Sequence, residues 1–303
     1  MLLKTKRKIR QNLTWYSFLA VSIIAIILFV YIPMFSTIRF SLYDVQVVGY
    51  GGSFVGLKNY RVVLTQRVFL RALGNTLILA VMGLLTIPIG FILAVMINSL
   101  GRGKLQTLFR VGFYMPNIIA GVSVVLIFQV VLRGEGGLLN NVLSALLGHK
   151  IAIGWLSDMK YSKLGATIIY IFQNEGFAML INLASLQAIP SELYDSASVD
   201  GATAWNKLVY ITMPAMKKCF SFLLVTQMIS SLARFTDLYI IGGNSATGFP
   251  GGSLQTIMMY IYQFSFESPQ YGISSAGSMI LFILVFAFTI LNVKLTGFFN
   301  EEE

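Results

Sequence analysis

The stretch AIPSELYDSASVDGATAWNKLVYITMP, residues 188 to 214, is polar and lies between two long apolar segments. Pro190 cannot donate a backbone hydrogen bond and Ser191 is a good N-cap, so a short helix is expected to start there. Glu192 and Asp195 would face the positive end of its dipole. Asp200 and Gly201 break that helix. Gly201 can take the left-handed conformation that ends one helix, and Asp200 can cap a second from Ala202 to Tyr210. Met213 and Pro214 then open the next long segment. A helix-turn-helix knuckle beside apolar spans is the predicted result.

Only 11% of the 303 residues are charged and the mean hydropathy is +0.76. A soluble domain carries about a quarter charged residues, so the chain belongs in a membrane. Charge-free runs fill Gln11 to Ile38, Ala72 to Gly101 and Val111 to Leu132. Each can cover the roughly 20 apolar residues of a helical span. Leu164 to Ile189 contains Glu175, Phe220 to Ile241 contains Arg234 and Asp237, and Tyr271 to Val293 is free of charge. An all-α polytopic protein with six transmembrane helices is expected.

The net charge of +10 does not indicate nucleic acid, because the basic residues are dispersed around apolar spans rather than gathered on one face. Topology accounts for them. Lys4, Lys6, Arg7, Lys8 and Arg10 precede the first span, and Arg102, Lys104 and Arg110 flank the second loop, which places both in the cytoplasm. Arg39, Lys58, Arg61, Arg67 and Arg71 fall on the opposite side. An even number of spans puts both termini and the 188–214 knuckle in the cytoplasm. The first apolar run is longer than a signal-peptide core and lacks a small-residue cleavage site before Arg39, so a retained first helix is expected. Outside, Tyr43 to Tyr60 reads as an irregular loop ending in a small amphipathic helix. Leu138 to Leu147 has helical spacing after the break at Gly134 to Gly137.

Catalytic and metal chemistry is not indicated. His149 is the single histidine and Cys219 the single cysteine, which leaves no His-rich zinc site and no intrachain disulfide. There is no G-x-x-x-x-G-K-[ST] phosphate loop, hence no ATP site of that kind in this chain. Pro33, Pro88 and Pro116 interrupt spans, and Gly83, Gly90, Gly112 and Gly121 offer close-approach surfaces.

Polar groups inside the spans should face inward, because each costs a few kcal/mol in hydrocarbon without a partner. Tyr170, Gln173, Asn174 and Phe177 recur at i, i+3, i+4 and i+7 and form one stripe. Gln227, Ser231 and Arg234 form another at i, i+4 and i+7. Aromatic faces beside amide and guanidinium groups suit a sugar ring and its hydroxyls. Equally, such groups can tie helices together, at roughly 1 kcal/mol or less each. Glu175 is a candidate structural partner for Arg234, with Asp237, one turn from Arg234, as the rival.

The 188–214 stretch resembles the EAA loop of the membrane subunits of bacterial ABC importers. That pattern is E-A-A, three residues, Gly, nine residues, Ile-x-Leu-Pro. Asp195-Ser196-Ala197, Gly201, Ile211 and Met213-Pro214 stand at its spacings, with aspartate for the glutamate and serine for one alanine. F-V-G-L-K-N-Y at Phe54 to Tyr60, G-N-T-L at Gly74 to Leu77, G-W-L-S-D at Gly154 to Asp158 and I-G-G-N at Ile241 to Asn244 are similar to the sugar-transporting, maltose-permease-like branch.

The resemblance implies a type I ABC importer permease fold in a single transmembrane domain over 1–303, with a core translocation unit at about 70–296. It implies transport of a sugar or oligosaccharide across the bacterial cytoplasmic membrane. A second homologous permease would complete a heterodimer, with two copies of a cytoplasmic ATPase and an extracellular solute-binding protein. No cofactor is expected here, ATP and magnesium being held by the ATPase. Coupling to it would fall on Leu193, Tyr194, Asp195, Ser196, Ala197, Asp200, Gly201, Ala202, Trp205 and Pro214. The substrate pathway would fall on Tyr170, Gln173, Asn174, Phe177, Gln227, Ser231 and Arg234. Rival readings are an ion-coupled secondary transporter, a membrane-embedded enzyme, and a permease for a phosphorylated, acidic or non-sugar polyol solute, since Arg234 could contact an anion.

Overall fold

The computed structural model describes residues 15–16, 19–46, 52–101 and 103–296. The basic cluster from Lys4 to Arg10, Arg102 and Glu301 to Glu303 lie outside the described residues.

Among the described residues, five helices are long and apolar enough to cross a membrane. We number them with the shorter ones in chain order: α1 (Leu19–Ser41), α2 (Lys58–Thr65) and α3 (Arg67–Ser99). Next come α4 (Lys104–Ile118), α5 (Gly121–Val131), α6 (Leu138–Leu147) and α7 (Ser162–Gln187). The knuckle is α8 (Ser191–Val199) and α9 (204–215). The fifth expected span is α10 (Lys217–Leu232) followed by α11 (Thr236–Ile241), then α12 (Ile257–Tyr262) and α13 (Tyr271–Thr296).

The expected third span is not a straight rod. It is the pair α4 and α5, bent by 97°, so six spans result when the pair counts as one. Pro116 removes a hydrogen bond in the last turn of α4, and Ile119 and Ala120 then adopt extended backbone. Asn117 Nδ2 donates to the carbonyl of Gln173 on α7 at 3.2 Å, anchoring the bend. At Gly121 a Cβ would lie 3.0 Å from Gln173 Nε2. Pro33 acts more gently: the helix widens into one π-type turn at Ile27–Tyr31, and the chain continues unbroken.

The core is built on α7. Its Gly176 lets the backbone of Phe113 in α4 approach so closely that a Cβ would overlap the Phe113 carbonyl. Gly90 of α3 brings the other flank close, where a Cβ would sit 2.7 Å from Met179 N. Small residues let helix backbones meet where lipid supplies no hydrophobic drive. Val124, Val125, Ala166, Ile169 and Leu238 fill the space between α5, α7 and α11. In contrast α1 buries no apolar side chain between Leu19 and Ile38, and it packs through its C-terminal half on α13.

Several of the sequence motifs act as ties. Asn59, at the start of α2, donates to the carbonyls of Ser41 and Tyr43 at 3.0 and 2.9 Å, and Tyr60 Oη donates to Ser41 Oγ. The amphipathic helix therefore runs from Lys58 to Thr65, later than the sequence suggests. A two-stranded hairpin, β1 (Tyr43–Asp44) with β2 (Ser53–Phe54), precedes it. Asn75 Nδ2 donates to the carbonyls of Gly252 and Gln255 at 2.8 and 2.9 Å, and Thr76 Oγ1 accepts from Ile257 N. Buried Asn140 donates to the carbonyls of Gly134 and Ile153 and accepts from Trp155 Nε1 at 2.8 Å. Gly243 and Asn244 close α11 by a left-handed turn, with bonds back to Ile240 and Tyr239 at 3.0 Å.

Candidate functional site

The predicted site residues fall in two groups, one inside the helix bundle and one at its end. Inside, the break between α10 and α11 at residues 233–235 aims Arg234 inward. Its guanidinium forms an ion pair with Asp237, its Nε donating to Oδ2 at 3.1 Å. Nη2 also donates to the carbonyl of Ala166 at 2.9 Å, and Cζ lies 4.5 Å from the centre of the Tyr170 ring. Tyr170 Oη donates to Gln227 Oε1 at 3.3 Å and accepts from Ser231 Oγ at 3.0 Å. Gly83 of α3 leaves room for this cluster, since a Cβ there would come within 3.1 Å of Tyr170 Cε1.

Four of the seven residues expected to line a substrate pathway, Tyr170, Gln227, Ser231 and Arg234, are thus brought together and buried. Arg234 and Asp237 neutralise one another, so the cluster is polar without net charge. Desolvated charges need such pairing. Gln173, Asn174 and Phe177 stand apart from the cluster and are half-buried. Gln173 abuts Gly121 at the bend between α4 and α5. Asn174 Nδ2 bonds the Tyr170 carbonyl of its own helix. Phe177 packs near Ile87, Ala178 and Leu223.

Glu175 is not the partner of Arg234. That role belongs to Asp237, one helical turn away on the same span. Glu175 is buried and its Oε2 has no hydrogen-bond partner. It lies five residues beyond Tyr170, about 140° further around α7, so its carboxylate points off the cluster face.

At the bundle end that follows Gln187, the knuckle forms with different caps from those the sequence suggests. Pro190 is the N-cap of α8 and Ser191 its first helical residue. Thr203, not Asp200, caps α9: its side chain accepts from Asn206 N at 3.2 Å. The reason is the turn itself. Gly201 has φ +75°, and Ala202 N bonds back to the Ala197 carbonyl at 2.8 Å. That bond carries the chain two residues further before helix can restart.

Leu193 and Trp205 are 50% and 70% exposed, whereas Tyr194 and Ala197 turn partly inward. Tyr194 Oη meets Thr212 Oγ1 at 2.9 Å, riveting α8 to α9. Asp195, Ser196, Asp200 and Pro214 are exposed and Ala202 is half-buried. Val199 and Tyr210 are also exposed. Sequence reasoning passed over both, although their apolar bulk in a polar stretch was a usable signal. Beneath the knuckle a cavity of about 550 Å³ is lined by Val95, Asn98, Leu186, Tyr194, Trp205 and neighbours.

Residues 86–297 match the family model described as binding-protein-dependent transport system inner membrane component. The multiple sugar-binding transport system permease protein MsmF of Streptococcus mutans is 29% identical over 98% of this chain and 99% of its own length. The trehalose/maltose transport system permease protein MalF of Thermococcus litoralis is 30% identical over 98% of each. Among solved structures, a chain of a bacterial ABC transporter for the acidic polysaccharide alginate superposes with a TM-score of 0.80. It is 23% identical and covers 98% of this chain and all of its own.

Proposed function

Because this chain belongs to the family of binding-protein-dependent transport system inner membrane components, we propose that it is the membrane permease of an ATP-driven sugar or oligosaccharide importer. Full-length relatives named for sugar transport support that substrate class. A second permease, two cytoplasmic ATPases and an external binding protein complete the assembly, and ATP with magnesium resides in the ATPases. The chain itself performs no chemistry. Both termini lie in the cytoplasm, and residues about 70–296 form the translocation core.

The observation that carries this reading is the exposed knuckle. Two short helices, locked by the bond between Tyr194 and Thr212, present Leu193, Val199 and Trp205 to the outside. A rigid apolar ridge projecting from a membrane bundle is a docking element for a soluble partner. Asp195, Ser196 and Ala197 lie on α8, Gly201 and Ala202 set its angle to α9, and Pro214 returns the chain to the membrane.

Within the bundle, Tyr170, Gln227, Ser231 and Arg234 make a neutral polar wall; Gln173 at the bend, and Asn174 and Phe177 further along α7, extend the path beyond it. Because Asp237 already neutralises Arg234, the wall favours uncharged hydroxyl-bearing solutes over anions. That distinguishes it in character from a path for an acidic polysaccharide.

Uptake of a panel of labelled neutral and acidic oligosaccharides into cells lacking and regaining this gene tests the proposal. We expect loss and recovery of uptake for a neutral sugar, dependent on ATP and insensitive to a protonophore in reconstituted vesicles. Uptake that follows the proton gradient without ATP would replace this reading with ion-coupled transport.

A further inference from the structure

A second polar cavity, of about 580 Å³, opens where α7 ends and α4 begins. It is lined by Gly103, Lys104, Gln106, Thr107, Arg110 and Gln187, with two cations and no acidic side chain. Neither cation forms an ion pair, the one among the described residues being that of Arg234 with Asp237.

The guanidinium is fixed rather than free: Arg110 Nη2 donates to Gln187 Oε1 at 3.0 Å. Its Nε is buried with no hydrogen-bond partner. A buried N–H of a guanidinium is costly to leave unmade, so the site is built to meet an acceptor. Gln106, 5% exposed, is held by its bond to the Ile97 carbonyl and forms a stiff floor. No side chain caps α4, which starts from an extended Gly103. Its first backbone N–H groups are therefore available to an anion.

The rim identifies the anion's carrier. Leu105 and Leu108, on the bent pair that counts as a membrane span, and Leu100, in the turn just before it, are exposed around the same helix start. An ion arriving alone from water has no use for them, whereas an acyl chain attached to the ion does.

We propose that this cavity binds the phosphate headgroup of an anionic phospholipid, with Lys104 and Arg110 on the phosphate and the leucine rim along the acyl chain. Basic pockets between membrane helices bind such headgroups, and each Lys or Arg near the surface strengthens attraction several-fold. The inference rests on membrane residence alone and stands whatever solute the protein carries.

Native mass spectrometry of the full chain, titrated with phosphatidylglycerol or phosphatidylcholine of identical acyl chains, tests it. Wild type is expected to bind phosphatidylglycerol more tightly. Lys104→Gln with Arg110→Gln should weaken that binding about 30-fold and leave phosphatidylcholine unchanged. Lys104→Gln alone, which preserves the bond between Arg110 and Gln187, should weaken it about fivefold and guards against a misfolded double variant. Equal phosphatidylglycerol affinity in wild type and the single variant would overturn the site, as would wild type binding both lipids equally. Displacement of the lipid by millimolar inorganic phosphate would assign the pocket to a free anion instead and overturn the lipid.

Discussion

Arg234→Ala removes three interactions at once: the ion pair with Asp237, the donation to the Ala166 carbonyl and the contact with the Tyr170 ring. Removing one member of a buried pair costs about 3 to 5 kcal/mol, because the other charge is stranded. The Asp237 side chain retains 14% exposure, so the lower end, about 3 kcal/mol, applies. Removing Asp237 as well takes away the stranded charge. We therefore expect Arg234→Ala with Asp237→Ala to be less destabilised than Arg234→Ala alone, with a coupling of about 2 kcal/mol in the cycle.

Denaturant or thermal unfolding of the purified protein, wild type and three variants, measures this directly. Additivity within about 0.5 kcal/mol would refute a structural pair. It would leave Arg234 free to act on solute instead. Membrane abundance provides the cellular counterpart: it should collapse in the single variant and recover partly in the double.

Gly201→Val forces a β-branched residue to φ +75°, at about 1 to 3 kcal/mol of local strain; complexes should assemble yet show weakened substrate-stimulated ATP hydrolysis, and unchanged coupling would sink the knuckle assignment. Asn140→Ala strands Trp155 Nε1 and two carbonyls, and should destabilise by at least about 2 kcal/mol on thermal unfolding, whereas Asn141→Ala, whose residue is exposed, should change little. Cysteines introduced near Ser53 and near Ser144, at exposed positions in a Cys219→Ser background, should react with impermeant maleimide from outside; labelling only from inside would reverse the topology.

The spans were legible because charge is so expensive in hydrocarbon that its absence marks them, and the knuckle because Gly201 and two prolines punctuate a polar stretch. The pairing of Arg234 with Asp237 was within reach as well, at i and i+3. Glu175 misled because spacing along a helix says which face a residue occupies but not which neighbour that face meets. The bend after Pro116 could not be read from Pro116 alone. Pro33 also lies in a span and leaves its helix continuous, and what separates them is the anchor from Asn117 to Gln173. Ties such as Asn75 to Gly252, 177 residues apart, leave no local trace. Capping by Thr203 was missed because the bond from Ala202 to Ala197 delays the second helix, a consequence of turn geometry rather than of residue preference.

The right-angled fold of α4 against α5 has a mechanical corollary. A rod transmits thrust along its axis, and two rods meeting at 97° do not. On the proposed coupling role, displacement of the knuckle is not passed straight along that span. It must travel through the two columns attached to the knuckle's ends: α7, whose 26 residues reach about 39 Å, and α10, as far as the hinge-like gap at Arg234. The neutral wall sits where those columns touch, at Tyr170, Gln227 and Ser231. Sliding one past the other by a single helical turn, about 5.4 Å, would unmake those bonds together and leave the polar groups of the wall unpaired inside the bundle.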